Sequence, residues 1–195
     1  MGLVSRDRDV RRSLMGALRE RHGGDPGTLI IEELGLGRGD RRVDVAVVNG
    51  VLHGFEIKSE ADALDRLPGQ AEAYSAALDR ATLVAAERHL DAGAGIVPSW
   101  WGIVVALPDG DRVRLEQVRE EGPNPGQLSA ALTQLLWRDE LLALLAAGGD
   151  GGGAAKLRRR ELEALATALP PGELAPVVRA ALKARTGWRG APRPS

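Results

Sequence analysis

A chain of 195 residues with 44% apolar side chains is long enough for one buried core and a small appendage. It contains no Cys, which excludes disulfides, thiolate zinc sites and a cysteine nucleophile. No apolar run approaches 18 residues, and Arg6, Asp7, Arg8 and Asp9 are unlike a signal peptide, so a cytoplasmic protein with no membrane partner is expected. Net charge is −1, but it divides into +3 over residues 1–21, −10 over the centre and +6 over residues 156–195. Basic ends around an acidic centre suit a metal site approached by a polyanion; ordinary solvated faces are the plainer account.

Residues 5–21 read as an amphipathic helix, with Val10, Leu14, Ala17 and Leu18 at helical spacing and Arg opposite. Residues 28–34 read as a strand. The glycine-rich run from Leu34 to Gly39 lacks a following Gly-Lys-Ser/Thr and reads as a plain connection, not a phosphate loop.

Arg42 to Lys58 is the organising stretch. Two β-branched runs flank Asn49-Gly50, a strong hairpin signal. A three-residue loop, Val48-Asn49-Gly50 with Gly50 left-handed, pairs positions that sum to 98. Asp44, Ala46, Gly54, Glu56 and Lys58 then share one face, and Val43, Val45, Val47, Val51, Phe55 and Ile57 the other. Two carboxylates with little bulk between them make a poor core and a good site for a hard cation such as Mg²⁺ or Mn²⁺. Only three of the 26 basic residues are Lys, yet one of them, Lys58, stands two positions from Glu56. A compact, proton-labile charge there can orient or deprotonate a water.

After the hairpin, Ser59 is expected to cap a helix beginning near Asp62, with Pro68 delaying or kinking it. Gln70 and Tyr74, four apart, fall on one face beside the stripe of Leu67, Ala71 and Leu78. Thr82–Ala86 reads as a buried strand reached by a parallel crossover. His89 reads as a surface or satisfied residue, with reach to the site as the alternative. Trp100 and Trp101 either seal a sheet edge or offer a stacking surface. Residues 101–106 and 112–118 form a strand pair around Pro108-Asp109-Gly110. Residues 127–146 read as one Leu-rich helix, which packs on the core or pairs with a second copy as a homodimer. Gly148–Gly153 reads as a linker. Two short helices follow, at 156–168 and 173–186, as either a packed cap or a nucleic-acid clamp. The expected organisation is a core over 1–120, a packing helix over 121–147, a linker over 148–155 and a basic helical extension over 156–195.

Asp44 followed by Glu56-Ile57-Lys58 resembles the metal-binding core of PD-(D/E)XK nucleases, the restriction-endonuclease-like superfamily. Gln70-x-x-x-Tyr74 resembles the Gln-x-x-x-Tyr element of its RecB-like branch. The wider run from Glu32 to Gly102, with Arg66-Leu67-Pro68 and Pro98-Ser99-Trp100-Trp101-Gly102, resembles small bacterial members with no settled role. No Pro precedes Asp44, which departs from the motif. The resemblance implies an α/β fold with a core of order α-β-β-β-α-β and added strands and C-terminal helices. It implies a Mg²⁺- or Mn²⁺-dependent nuclease acting on nucleic acid, DNA in the first instance. Asp44, Glu56 and the Ile57 carbonyl would be metal ligands. Lys58 would position or deprotonate the water, and Gln70 and Tyr74 would orient phosphate. A third acid from the first helix or strand would be Glu33 in preference to Glu32 or Glu20. A nucleic-acid-binding or regulatory module that has lost turnover is the alternative.

Overall fold

The computed structural model describes residues 6–149 and 153–185. The first helix, α1 (Asp7–His22), carries Asp7 and Asp9 in its first turn and Arg19, Arg21 and His22 in its last, matching the helix dipole at both ends. Six strands follow in one mixed sheet whose spatial order equals chain order: β1 (Leu29–Leu36), β2 (Arg41–Val48), β3 (Leu52–Lys58), β4 (Arg80–Ala86), β5 (Gly102–Asp109) and β6 (Arg112–Arg119). The first three are antiparallel neighbours. β3, β4 and β5 run parallel, and β6 returns antiparallel. The parallel steps are made by α2 (Leu67–Ala77) and by α3 (Leu90–Ile96), as a crossover requires.

The sheet is covered on both faces. Val10, Leu14, Met15 and Leu18 of α1 pack on Val45, Val47, Phe55, Ile57 and Val84. The opposite face carries α2 and the C-terminal helices. Trp101 is fully buried there and stacks on Tyr74 at 5.3 Å between ring centroids, so it seals the core and offers no surface for a base. Among the described residues no helix is long and apolar enough to cross a membrane.

The hairpin loop holds three residues, but they are Asn49-Gly50-Val51, because Val48 pairs with Leu52 and Val45 with Phe55. The pairing sum is 100 instead of 98. The asparagine explains the shift: its side-chain Oδ1 accepts the Val51 N–H at 3.1 Å, closing the turn without a left-handed Gly50. A slip of two residues keeps the parity, so Ala46 and Gly54 still share the α2 face. Val43 is the exception. It joins Ile31, Leu34 and Leu36 on the α2 side, although Val45 lies on the α1 side. Both β1 and β2 turn over together between the pairs Glu32–Val45 and Leu34–Val43. The pivot is Glu33, at φ 60°, in a region that favours glycine.

Ser59 does not cap α2. Its N–H and hydroxyl both bond Asp62 Oδ2, at 2.7 and 2.6 Å, and the helix starts at Leu67 with Pro68 in its first turn. The Leu-rich segment is two helices, α4 (Ser129–Gln134) and α5 (Arg138–Ala147). Glu140 Oε2 accepts the Trp137 N–H at 2.6 Å and starts α5 afresh. The carbonyls freed at the break are taken by Arg159, on Gln134 and Leu136, and by Arg185, on Leu135. Leu132, Leu135, Leu136, Leu141 and Leu145 are all buried inside this chain's own core.

The extension folds back as α6 (Arg159–Ala166) and α7 (Pro171–Ala184) and buries Leu162, Leu174, Val178 and Leu182 in that same core. Asp79 ties it to the hairpin: one carboxylate oxygen accepts the Leu52 N–H at 2.6 Å and Arg179 at 2.9 Å. The extension is a packed cap over this range; the linker centre at 150–152 and the basic residues Arg189 and Arg193 lie outside the described residues. Because Leu162 is fully buried, Leu162→Ala should cost about 2–5 kcal/mol. Urea unfolding followed by circular dichroism and by Trp fluorescence should move together in one transition; a separate early transition would show the extension to be an independent unit.

Candidate functional site

The β2–β3 ladder stops at Val45–Phe55. Beyond it the two strands are no longer paired, and side chains bond backbone groups there. Asp44 supplies one such bond: its Oδ2 accepts the Ile57 N–H at 2.8 Å. Arg11, from α1, supplies the other, donating to the Asp44 carbonyl at 2.9 Å and to Asp44 Oδ1 at 3.1 Å. The gap opens into a polar pocket of about 320 Å³ lined by Asp44, Glu56, Ile57, Lys58 and Gln70, with Arg41, Arg42 and Arg66 at its rim. Sequence reasoning placed Asp44, Glu56 and Lys58 together, and the structure does so.

Glu56 is the buried centre, at 1% exposure. One of its oxygens accepts Lys58 Nζ at 2.6 Å and Gln70 Nε2 at 2.5 Å. The other accepts the Tyr74 hydroxyl at 2.5 Å. Gln70 Oε1 in turn receives Lys58 Nζ at 3.0 Å, so the amide bridges acid and amine. Gly54 makes room for Leu78, at the end of α2: a Cβ there would lie 2.4 Å from Leu78 Cδ1 and 3.0 Å from Val43 Cγ1. Tyr74 is fully buried, and its hydroxyl oxygen lies 3.2 Å from the Arg42 carbonyl. It cannot touch a substrate and acts by holding Glu56, which corrects the expectation that it orients phosphate. Gln70 keeps an exposed edge on the pocket.

Burial raises the Glu56 carboxyl above its ordinary value, and the negative charge of Asp44 raises it further, against the Lys58 ion pair. Burial also drives the Tyr74 hydroxyl well up, as does the Glu56 charge, so it remains a donor. Two acids that repel each other are a fit for a divalent cation. Among the described residues no three His, Asp or Glu side chains gather as a metal-holding group.

Of the third-acid candidates, Glu33 lines the pocket and pairs with Arg42 at 3.1 Å. Glu32 and Glu20 do not line it. His89 is buried on a 3-10 turn, beside Arg88 and outside the pocket. Sequence reasoning missed Asp7, which lines the pocket, and Arg11, which bridges Asp7 and Asp44. Their spacing of four on α1 was a readable signal for an ion pair with each other, but nothing local pointed to Asp44.

A family model described as bacteriophage P4 protein cII matches residues 4–189. The chain belongs to the bacteriophage P4 protein cII family. A curated member, protein cII of Enterobacteria phage P4, is 28% identical over 142 residues, which are 73% of this chain and 52% of that protein. The chain thus spans about half the length of this relative. Among solved structures, a protein of unknown function from Silicibacter pomeroyi is similar at TM-score 0.44 and 21% identity, over 62% of this chain and 75% of that one.

The pocket charge in this cII-family chain is testable by titration. The folded value of Glu56 is raised, so the folded chain holds that proton more tightly than the unfolded one. Its contribution to stability then falls as pH rises from the ordinary carboxylate value through the raised one. In Asp44→Asn the charge that raises Glu56 is gone. Carboxyl-carbon NMR should then find Glu56 titrating lower than in the parent; an unchanged or higher value would contradict the coupling.

Proposed function

We propose that the pocket between β2 and β3 is a metal-dependent phosphodiesterase site acting on nucleic acid, with DNA the favoured substrate. The observation that carries this reading is the convergence of Asp44, Glu56, Lys58 and Gln70 on one polar pocket beneath an arginine rim. The element order α1-β1-β2-β3-α2-β4 supports the finer proposal of a restriction-endonuclease-like core.

Asp44, Glu56 and the Ile57 carbonyl would hold Mg²⁺ or Mn²⁺, which when bound lowers the pKa of a water and polarises a phosphate. The chain's own residues do the rest. Tyr74 and Gln70 fix Glu56 in one orientation, so its reorganisation cost is met on folding. Lys58 Nζ, held between Glu56 and Gln70, presents a positive charge to the reacting phosphate or its attacking water. Arg41 and Arg66 at the rim are exposed and suit non-bridging phosphate oxygens.

One observation favours a second reading, binding without turnover. Both carboxylates already have a cation within hydrogen-bond distance, Arg11 on Asp44 and Lys58 on Glu56. Incubation of the purified chain with DNA and RNA of defined structure, with Mn²⁺ or with chelator, separates the two. The nuclease reading expects cleavage with Mn²⁺ alone, reduced by Lys58→Ala on the order of 10²–10⁴-fold. Salt-sensitive binding with no cleavage under any metal would select the second reading. Cleavage that survives chelation or the loss of Lys58 would remove the first.

A further inference from the structure

We propose that Arg11 is the resting counter-cation of Asp44, which a divalent ion must displace from that carboxylate on binding. This rests on the metal reading above. The guanidinium makes four contacts. Its Nε and Nη2 reach the two oxygens of Asp7 at 3.2 and 3.4 Å. The same Nη2 reaches Asp44 Oδ1 at 3.1 Å, and Nη1 reaches the Asp44 carbonyl at 2.9 Å. It therefore bridges two carboxylates that both line the pocket, as a bound cation would.

Three features make this contact a competitor and not a fixed brace. Asp44 spends its Oδ2 on the Ile57 N–H, so Oδ1 is its outward oxygen, and Arg11 sits on it. Arg11 belongs to α1, not to the hairpin, and meets the Asp44 carbonyl and carboxylate through different nitrogens, so it can release Oδ1 without breaking the sheet ladder. Asp7, in the first turn of α1, keeps hold of the guanidinium once Asp44 is given up. Asp44 is a quarter exposed at its side chain, so an incoming ion has access.

The test measures Mn²⁺ binding by electron paramagnetic resonance in the parent and in Arg11→Gln, without reference to cleavage. Removing one contacting cation from a partly exposed site should tighten Mn²⁺ by roughly tenfold. Equal or weaker binding in Arg11→Gln overturns the proposal and leaves the metal reading standing. Failure of both proteins to bind Mn²⁺ overturns the metal reading, and the proposal with it. A second measurement needs no deletion of the side chain. The Arg11 Nε–H signal, assigned through Arg11→Lys, is followed by NMR in the parent as Mg²⁺ is added. Displacement should shift it and speed its exchange with water; a signal unmoved at Mg²⁺ saturation overturns the proposal.

Discussion

The parting of β2 from β3 after Val45–Phe55 is the constraint from which the pocket follows. Interrupting a ladder inside a sheet orphans backbone donors and acceptors, and a buried orphan costs about 1–3 kcal/mol. The chain meets this with side chains that also carry charge. Asp44 takes the Ile57 N–H and Arg11 takes the Asp44 carbonyl. A pocket made this way is polar for structural reasons before any ligand enters it. The left-handed Glu33 belongs to the same economy, because β1 must turn over beside β2 to keep its pairing through the bend.

Glu56 shows why the network must be complete. A carboxylate with 1% exposure is tolerable only where donors replace its lost water. Lys58, Gln70 and Tyr74 supply three, using both oxygens. Lys58 and Gln70 hold each other through one bond, and Tyr74 is held by packing on Trp101. Loss of any one leaves a buried charge short of a partner, so fold stability and site geometry are coupled through the same contacts.

The parts legible in the sequence were those whose cause lies within a few residues. The hairpin, the Glu-x-Lys spacing and the Gln-x-x-x-Tyr spacing each depend on a period of two or four. Parity survived the misplaced loop because the error was two residues. Val43 was lost because its face depends on a backbone turn at Glu33, ten residues away in another strand. The break between α4 and α5 was invisible for a related reason: Arg159 and Arg185, from the extension, cap carbonyls that a continuous helix would have used itself. Arg11 reaches Asp44 across 33 residues, and no periodicity reports that distance.

The two cations that touch Asp44 and Glu56 differ in how firmly the fold holds them. Lys58 shares β3 with the acid it neutralises, is 4% exposed, and contacts a second partner on α2. Its position is set wherever the strand forms. Arg11 meets Asp44 only because α1 docks on the far face of the sheet, and it holds Asp7 on its own helix as well. A pair made within one strand persists through any motion that leaves the sheet intact. A pair made between a helix and a strand end responds to small shifts of the helix and to competing charge. The pocket therefore joins one built-in charge to one separable charge. Of these two, the separable one leaves room for charge to change at the acids without unfolding the chain.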